Sequence, residues 1–328
     1  MYSLTRPLPS CLTKRQGRHL LAGGVFLTSL MLFVLLSGCT QPGGSASDLN
    51  GHLQVAGSTA LQPLATAAAS LFQQQHAHAH VEVKGGGSLL GLQSLTNHQV
   101  NIGDSDVYAD PAVYPDPNLT DHIVAVIPFT MIVGPDVTVK TLTQQEIIDI
   151  FSTGTIRNWK LVGGPNLPIV PVVRPATSGT RATFRKYILG GRDEIGTLLR
   201  TDSSQTVRAT VAHTPGAIGY LARSVLDSSV KAIAIDGKMA TPQNIESGSY
   251  AFWGYEHMYT LDDSNPLLAA FLDFMLTPQI QQLALRMSYI PIANMKLSGA
   301  GVSGHGNELA QSVVLASSLE IGRRDENL

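Results

Sequence analysis

The sequence predicts an α/β protein of two lobes, each a mixed, mostly parallel sheet flanked by helices. Three observations carry that expectation. Short apolar runs alternate with helical patterns, the mark of strands joined by helices. Several of those runs end directly in small-residue turns: Gly57-Ser58-Thr59, Gly85-Gly86-Gly87-Ser88 and Gly103-Asp104-Ser105-Asp106. Taking a 38-residue leader from 328 residues leaves 290, too long for one small core and enough for two.

Strands are expected at Leu53–Ala56, Val81–Lys84, Val100–Gly103, Ile123–Val133, Ile169–Val173, Ala217–Leu221 and Val230–Ile235. Helices are expected at Leu61–Gln75, Thr143–Ser152, Thr180–Leu189, Ser204–Ala212, Pro266–Leu276 and Pro278–Met287. No internal repeat interrupts this alternation. In open α/β sheets ligands bind beyond the carboxyl ends of strands, where the small-residue turns fall.

The N-terminus carries Arg6, Lys14, Arg15 and Arg18 with no acid, then an apolar run from Leu20 to Leu36. A basic start, an apolar stretch and small residues at its end describe a secretion signal. Leu36-Ser37-Gly38-Cys39 has the lipobox pattern, so residues 1–38 are expected to be removed and Cys39 lipidated. The competing reading is a plain membrane span, since ~20 apolar residues can cross a bilayer. Residues 39–50 form a Gly/Ser-rich flexible tether. From Ser298 to Leu328 the chain turns Gly/Ser-rich and then charged, and is expected to be a poorly ordered tail. The protein is thereby placed outside the cytoplasm, held to the cell membrane by its N-terminal lipid.

Composition excludes several classes. Of two cysteines, Cys11 lies in the leader, so the mature domain holds neither a disulfide nor a cysteine metal site. Setting the four leader cations aside leaves 18 Lys+Arg against 24 Asp+Glu, a net charge near −6. No basic stripe for nucleic acid is available. An anion site in such a chain must be built from local donors.

The stretch Arg174-Pro-Ala-Thr-Ser178-Gly179-Thr180 offers such donors. A helix start presents unpaired N–H groups and partial positive charge, glycine lets the backbone approach, and hydroxyls add donors. Arg174 can add a two-pronged guanidinium contact. The bland alternative is a helix cap without a ligand. Gly57-Ser58-Thr59-Ala60 repeats the chemistry before a second helix, and Gly85-Gly86-Gly87-Ser88 before a third. None is a nucleotide loop, because no lysine follows in the required place.

Asp106 completes the set. A carboxylate beside an anion is tolerable when the anion carries a proton to share; hydrogen phosphate does at neutral pH, and sulfate does not. The acid therefore disfavours sulfate by an unpaired repulsion. Asp104 is read as a turn-forming aspartate bonded to its own backbone.

In this order and spacing, Gly57-Ser-Thr59, Gly85-Gly-Gly-Ser88, Ser105-Asp106 and Arg174-x-x-x-Ser178-Gly-Thr180 resemble the phosphate-binding protein of phosphate ABC transporters. The resemblance runs from about Leu53 to Asn294 and includes Asn158-Trp159-Lys160 and Gly216-Ala-Ile-Gly-Tyr220. It implies a hinged solute-binding protein with two crossovers, near Pro128–Gly134 and Tyr250–Tyr259. Lobe 1 is then 51–131 with 252–297, and lobe 2 is 132–251. The implied phosphate contacts are Ser58, Thr59, Ala60, Ser88, Asp106, Arg174, Ser178, Gly179 and Thr180. The aspartate accepts the phosphate's proton and the arginine supplies charge. The implied partners are inorganic phosphate and the permease subunits of the transporter, with the binding protein itself a monomer and no cofactor, metal or enzymatic activity expected.

Some features depart from that pattern or compete with it. Leu89-Leu90 follow Ser88 where relatives carry small polar residues, which makes one wall of the site more apolar. Pro175 stiffens the approach to Ser178 and biases Arg174 to extended backbone. A sensor of phosphate or another oxyanion, uncoupled from transport, remains the alternative function. His76-Ala-His78-Ala-His80 places three imidazoles at strand spacing, a potential metal site, although a solvated connector between helix and strand accounts for it better. Ser178 lacks the Gly-x-Ser-x-Gly elbow of hydrolases. Trp159 and Trp253 are assigned to core or hinge packing.

Overall fold

The computed structural model describes residues 49–195, 199–262 and 264–295. The leader, Cys39, nearly all of the tether and the tail of the sequence reading lie outside these residues. Among the described residues no helix is long and apolar enough to cross a membrane.

The chain runs β1 (Gly51–Gly57), α1 (Gln62–Gln75), β2 (Ala79–Lys84), α2 (Ser88–Thr96), β3 (Ile102–Ser105) and β4 (Thr120–Val133). It continues through β5 (Thr141–Leu142), α3 (Gln144–Ile148), β6 (Val170–Val173), α4 (Gly179–Thr183), β7 (Leu199–Arg200) and α5 (Ser204–His213). Then come β8 (Ala217–Ala222), β9 (Lys231–Ile235), α6 (Pro242–Glu246), β10 (Trp253–Thr260), α7 (Pro266–Met275) and α8 (Pro278–Arg286).

β1 pairs in parallel with β2 on one side and β3 on the other, and β10 adds antiparallel to β3. β4 joins the two halves of the sheet. Its residues up to Pro128 pair with β10, whereas Phe129 to Val133 pair with β8. β6 extends that second half in parallel with β8 and β7. Because β4 is buried from Val124 onward, its apolar residues run without alternation, as a strand covered on both faces requires.

The same burial hid β10. All eight residues of Trp-Gly-Tyr-Glu-His-Met-Tyr-Thr are buried, so no polar alternation marks them. Within the expected crossover Tyr250–Tyr259 the structure adds a strand that the pattern did not predict: Trp253–Thr260 pairs with both β3 and β4.

α1 forms where expected because Leu64, Ala65, Ala68, Ala69 and Phe72 recur at helical spacing and all are buried. Phe72 meets Phe271 and Phe274 of α7 edge-on, at ring separations of 5.4 and 5.3 Å. Two expected helices have the expected length but not one form throughout. Each passes from α-helix into a π turn, Asp149–Thr153 after α3 and Phe184–Ile188 after α4.

Both tryptophans are fully buried. Trp159 donates its indole N–H to the Gly216 carbonyl at 2.9 Å, which ties together the two motifs that carry them. Gly216 has φ +71°, and a Cβ there would lie 2.1 Å from the Pro168 carbonyl, so only glycine fits. The histidines do not share a strand face: His76 follows α1 and packs on Phe72 at 4.5 Å, while His80 in β2 stacks on His52 at 5.0 Å.

Candidate functional site

The small-residue turns converge. Ser58 and Thr59 follow β1, Ser88 opens α2, Asp106 follows β3, Arg174 follows β6, and Ser178 to Thr180 open α4. Ser58, Thr59, Ala60, Ser88, Asp106, Arg174, Ser178 and Thr180 are each at most 4% exposed.

Asp106 is the hub. Its N–H donates to Ser88 Oγ at 2.9 Å. One carboxylate oxygen accepts from the Ser58 hydroxyl, and the other accepts from Thr180 Oγ1 at 2.7 Å. Ser58 Oγ in turn accepts the N–H groups of Ala60 and Leu61, both at 3.0 Å, which holds the turn before α1. The Ala60 carbonyl accepts from Ser224 Oγ at 3.1 Å and from the Tyr289 hydroxyl.

Arg174 lies opposite. Its guanidinium donates to Ser204 Oγ at 3.1 Å, Thr59 Oγ1 at 3.1 Å and the Asp202 carbonyl at 3.2 Å. Its Nε is buried with no hydrogen bond. Burial lowers the pKa of this side chain from its usual value, and the charge of Asp106, then Tyr220 and Asp202, works against that. The Arg174 N–H reaches the Tyr220 hydroxyl at 3.4 Å, and that hydroxyl donates to Glu194 at 2.9 Å.

Ser178 caps α4, its hydroxyl accepting from the Arg181 N–H at 3.2 Å. The two sides approach closely at Gly179: a Cβ there would stand 2.3 Å from Ser88 Oγ and 2.9 Å from Asp106 Cβ. Beside it the Leu89 N–H donates to the Thr177 carbonyl at 3.0 Å.

Leu89 and Leu90 do not form a wall of this cradle. They are 36% and 42% exposed, and Leu90 lines an outer cleft of about 1040 Å³ together with Thr59, Pro63, Pro175 and Asp202. The apolar residues face outward because α2 begins at Ser88, which turns the hydroxyl inward and the next two positions away.

Asp104 is a correction. It is not a turn residue: it lies within β3, fully buried, and neither carboxylate oxygen has a hydrogen bond. Ser105 makes the turn instead, accepting from the Val107 N–H at 3.1 Å and donating to its carbonyl at 2.6 Å. Burial first, then the Asp106 charge, push Asp104 well above the carboxylate range.

Two site residues escaped the sequence reading. Ser204 opens α5, is fully buried, and contacts both Arg174 and Thr59. Its signal was present, as Asp202-Ser203-Ser204 is a fourth hydroxyl turn between a strand and a helix. Glu256 sits in β10, fully buried, with neither carboxyl oxygen hydrogen-bonded. Nothing local to its sequence marks it.

A family model described as a PBP superfamily domain matches residues 42–279. Phosphate-binding protein PstS of Bacillus subtilis is 42% identical over 252 residues, spanning 76% of this chain and 83% of that protein. The chain belongs to the phosphate-binding protein family of ABC transporters. A solved member of this family, a phosphate ABC transporter substrate-binding protein of Clostridium perfringens with bound phosphate, superposes with a TM-score of 0.70 at 28% identity. It covers 74% of this chain and 100% of its own. An ABC-type phosphate transport receptor of Vibrio cholerae gives a TM-score of 0.60 at 27% identity, over 73% and 99% of the two chains. The α/β fold in two lobes is the fold of these phosphate-binding proteins.

Proposed function

We propose that this chain captures inorganic phosphate outside the cytoplasm and passes it to the permease of an ABC transporter, without catalysing a reaction. One observation carries the reading: a buried ring of hydroxyl and N–H groups encloses the Asp106 carboxylate and the Arg174 guanidinium. Such a ring suits a compact oxyanion that brings both charge and a proton. The arginine answers the charge, and the aspartate accepts the proton that hydrogen phosphate has and sulfate lacks.

The phosphate ligands in this reading are Ser58, Thr59, Ala60, Ser88, Asp106, Arg174, Ser178, Gly179 and Thr180, with Ser204 as support for the arginine. Lobe 1 comprises 51–131 and 252–297, and lobe 2 comprises 132–251. The lobes close about the two strand connections near Phe129 and Phe252, because only the closed form lets both groups of donors engage one anion. The closed monomer is what the permease receives. Anchoring through a lipid on Cys39 keeps the protein beside it.

Calorimetric titration of the chain with phosphate and with sulfate at pH 7 tests the reading. One-to-one phosphate binding with sulfate silent is expected; no phosphate binding up to millimolar concentration overturns it. The anchor is tested separately. Cys39→Ser is expected to move the protein from the membrane fraction to the medium or periplasm, and an unchanged membrane fraction would remove lipidation from the account.

A further inference from the structure

Asp106 does not stand alone. The antiparallel register of β10 on β3 sets His257 against Ser105 and Met258 against Asp104, so Glu256 faces position 106. Directly opposed residues share a face, and alternate residues of one strand share a face. Asp104, Asp106 and Glu256 therefore project from one face of the sheet, and all are buried. The Glu256 carboxyl interacts with those of Asp106 and Asp104 and with the Ser58 hydroxyl, yet neither of its oxygens closes a hydrogen bond. The Tyr289 hydroxyl, the other titratable group against it, is engaged by the Ala60 carbonyl. Arg174, a buried cation whose charge interacts with Asp106, donates to Thr59, Ser204 and Asp202 and to neither Asp104 nor Glu256.

Three ionised carboxylates in so dry a space, with no cation of their own, are too costly to coexist; protons must be retained by some of them. Asp106 accepts hydroxyl protons on both oxygens, as an ionised acceptor does. Asp104 and Glu256 accept none. We propose that Glu256 is a proton-bearing positioning residue of the anion site: its carboxylic acid stands behind Asp106 and leaves Asp106 as the ionised acceptor. This rests on the phosphate reading above. Glu256 touches no ligand. It acts by setting a neutral O–H, rather than a second charge, behind Asp106, whose oxygens Ser58 and Thr180 already engage, so that the charge of the acid group lies at the mouth of the cradle, where a protonated anion meets it. Burial, then Asp106 and Asp104, push the Glu256 carboxyl well above the carboxylate range, in line with that assignment.

The test compares the full wild-type chain with Glu256→Leu and Glu256→Gln, titrated with phosphate at pH 6, 7 and 8, with folding checked by thermal melts. Leucine removes the donor, and phosphate affinity is expected to fall about tenfold or more. Glutamine restores a neutral donor of the same shape, and is expected to rescue affinity to within about threefold of wild type at all three pH values. Rescue by glutamine is something a role for an ionised carboxylate would not give. The inference is overturned if glutamine tightens binding about tenfold, which means an ionised Glu256 was repelling the anion. It is equally overturned if glutamine weakens binding as much as leucine, or if leucine changes nothing. Should the leucine variant fail to fold, the glutamine arm decides by the same limits. A wild-type chain that binds no phosphate defeats the functional reading; a binding wild type with the wrong variant pattern defeats only this one.

Discussion

Thr180 donates a hydrogen bond of 2.7 Å to Asp106 across 74 positions of sequence. This contact fastens the start of α4 to the end of β3. The Arg174–Thr59 bond, 3.1 Å long and spanning 115 positions, closes the far end of the same cradle.

Asp106→Asn keeps the shape and a potential donor but cannot accept the ligand's proton as a carboxylate does. The ratio of phosphate to sulfate affinity is expected to drop at least about tenfold, roughly 1.4 kcal/mol of discrimination. Paired calorimetric titrations measure it, and an unchanged ratio would take the proton-reading role away from Asp106.

Gly179→Ala adds a carbon 2.3 Å from Ser88 Oγ and 2.9 Å from Asp106 Cβ. Relief of that overlap requires the two sides of the cradle to part. Phosphate affinity is expected to fall more than about tenfold, with a larger radius of gyration in small-angle scattering under saturating phosphate. A variant that compacts like wild type would show the approach to be less tight than drawn.

Ser204→Ala removes one of three oxygens that hold the Arg174 guanidinium. A hydrogen bond to a charged group contributes about 1.5–3 kcal/mol, so phosphate affinity should weaken by about tenfold or more. Ser203→Ala, a change at the half-buried residue of the same turn that caps α5, serves as control through its melting temperature: stability falls while affinity holds.

Arg174→Lys keeps the charge but not the fork. Lysine cannot span Ser204, Thr59 and the Asp202 carbonyl at once, and phosphate affinity is expected to fall about a hundredfold, or ~2.7 kcal/mol. Titration at low and high salt separates this geometric loss from a change in long-range field.

The pH dependence of stability follows from Asp104 and Glu256, both raised by burial first and then by the charge of Asp106, with Asp104 adding to the shift of Glu256. The unfolded chain ionises these groups at about pH 4, while the folded chain keeps their protons to higher pH. Folding thus binds protons, and the stability these groups contribute is full below about pH 4 and is lost as pH rises toward their folded values. Wild-type melting temperature should decline between pH 5 and 8 more steeply than that of the Asp104→Asn, Glu256→Gln double variant. Equal slopes would mean that neither carboxyl holds a proton in the folded chain.

How much of this was legible in the sequence depends on how local the cause is. The turns at Ser58, Ser88 and Ser178 were readable because glycine, hydroxyls and a following helix are a few residues apart, and that at Asp106 because Gly103 and Ser105 precede it at the end of a strand. Helices such as α1 and α7 were readable because one apolar stripe must be buried. Local patterning by itself thus determined the α/β alternation and most of the anion-cradle residues, with the ordered motifs pointing to the family. Tertiary structure alone decided the rest. β10 is buried on both faces and so carries no period to read, which hid Glu256; Asp104 looked like a turn residue until its strand was paired; Leu89 and Leu90 face outward only because α2 starts at Ser88. The state of a carboxyl is set by what surrounds it in space. Asp104 and Glu256 are 152 positions apart in sequence and share one dry sheet face, and no local pattern records that.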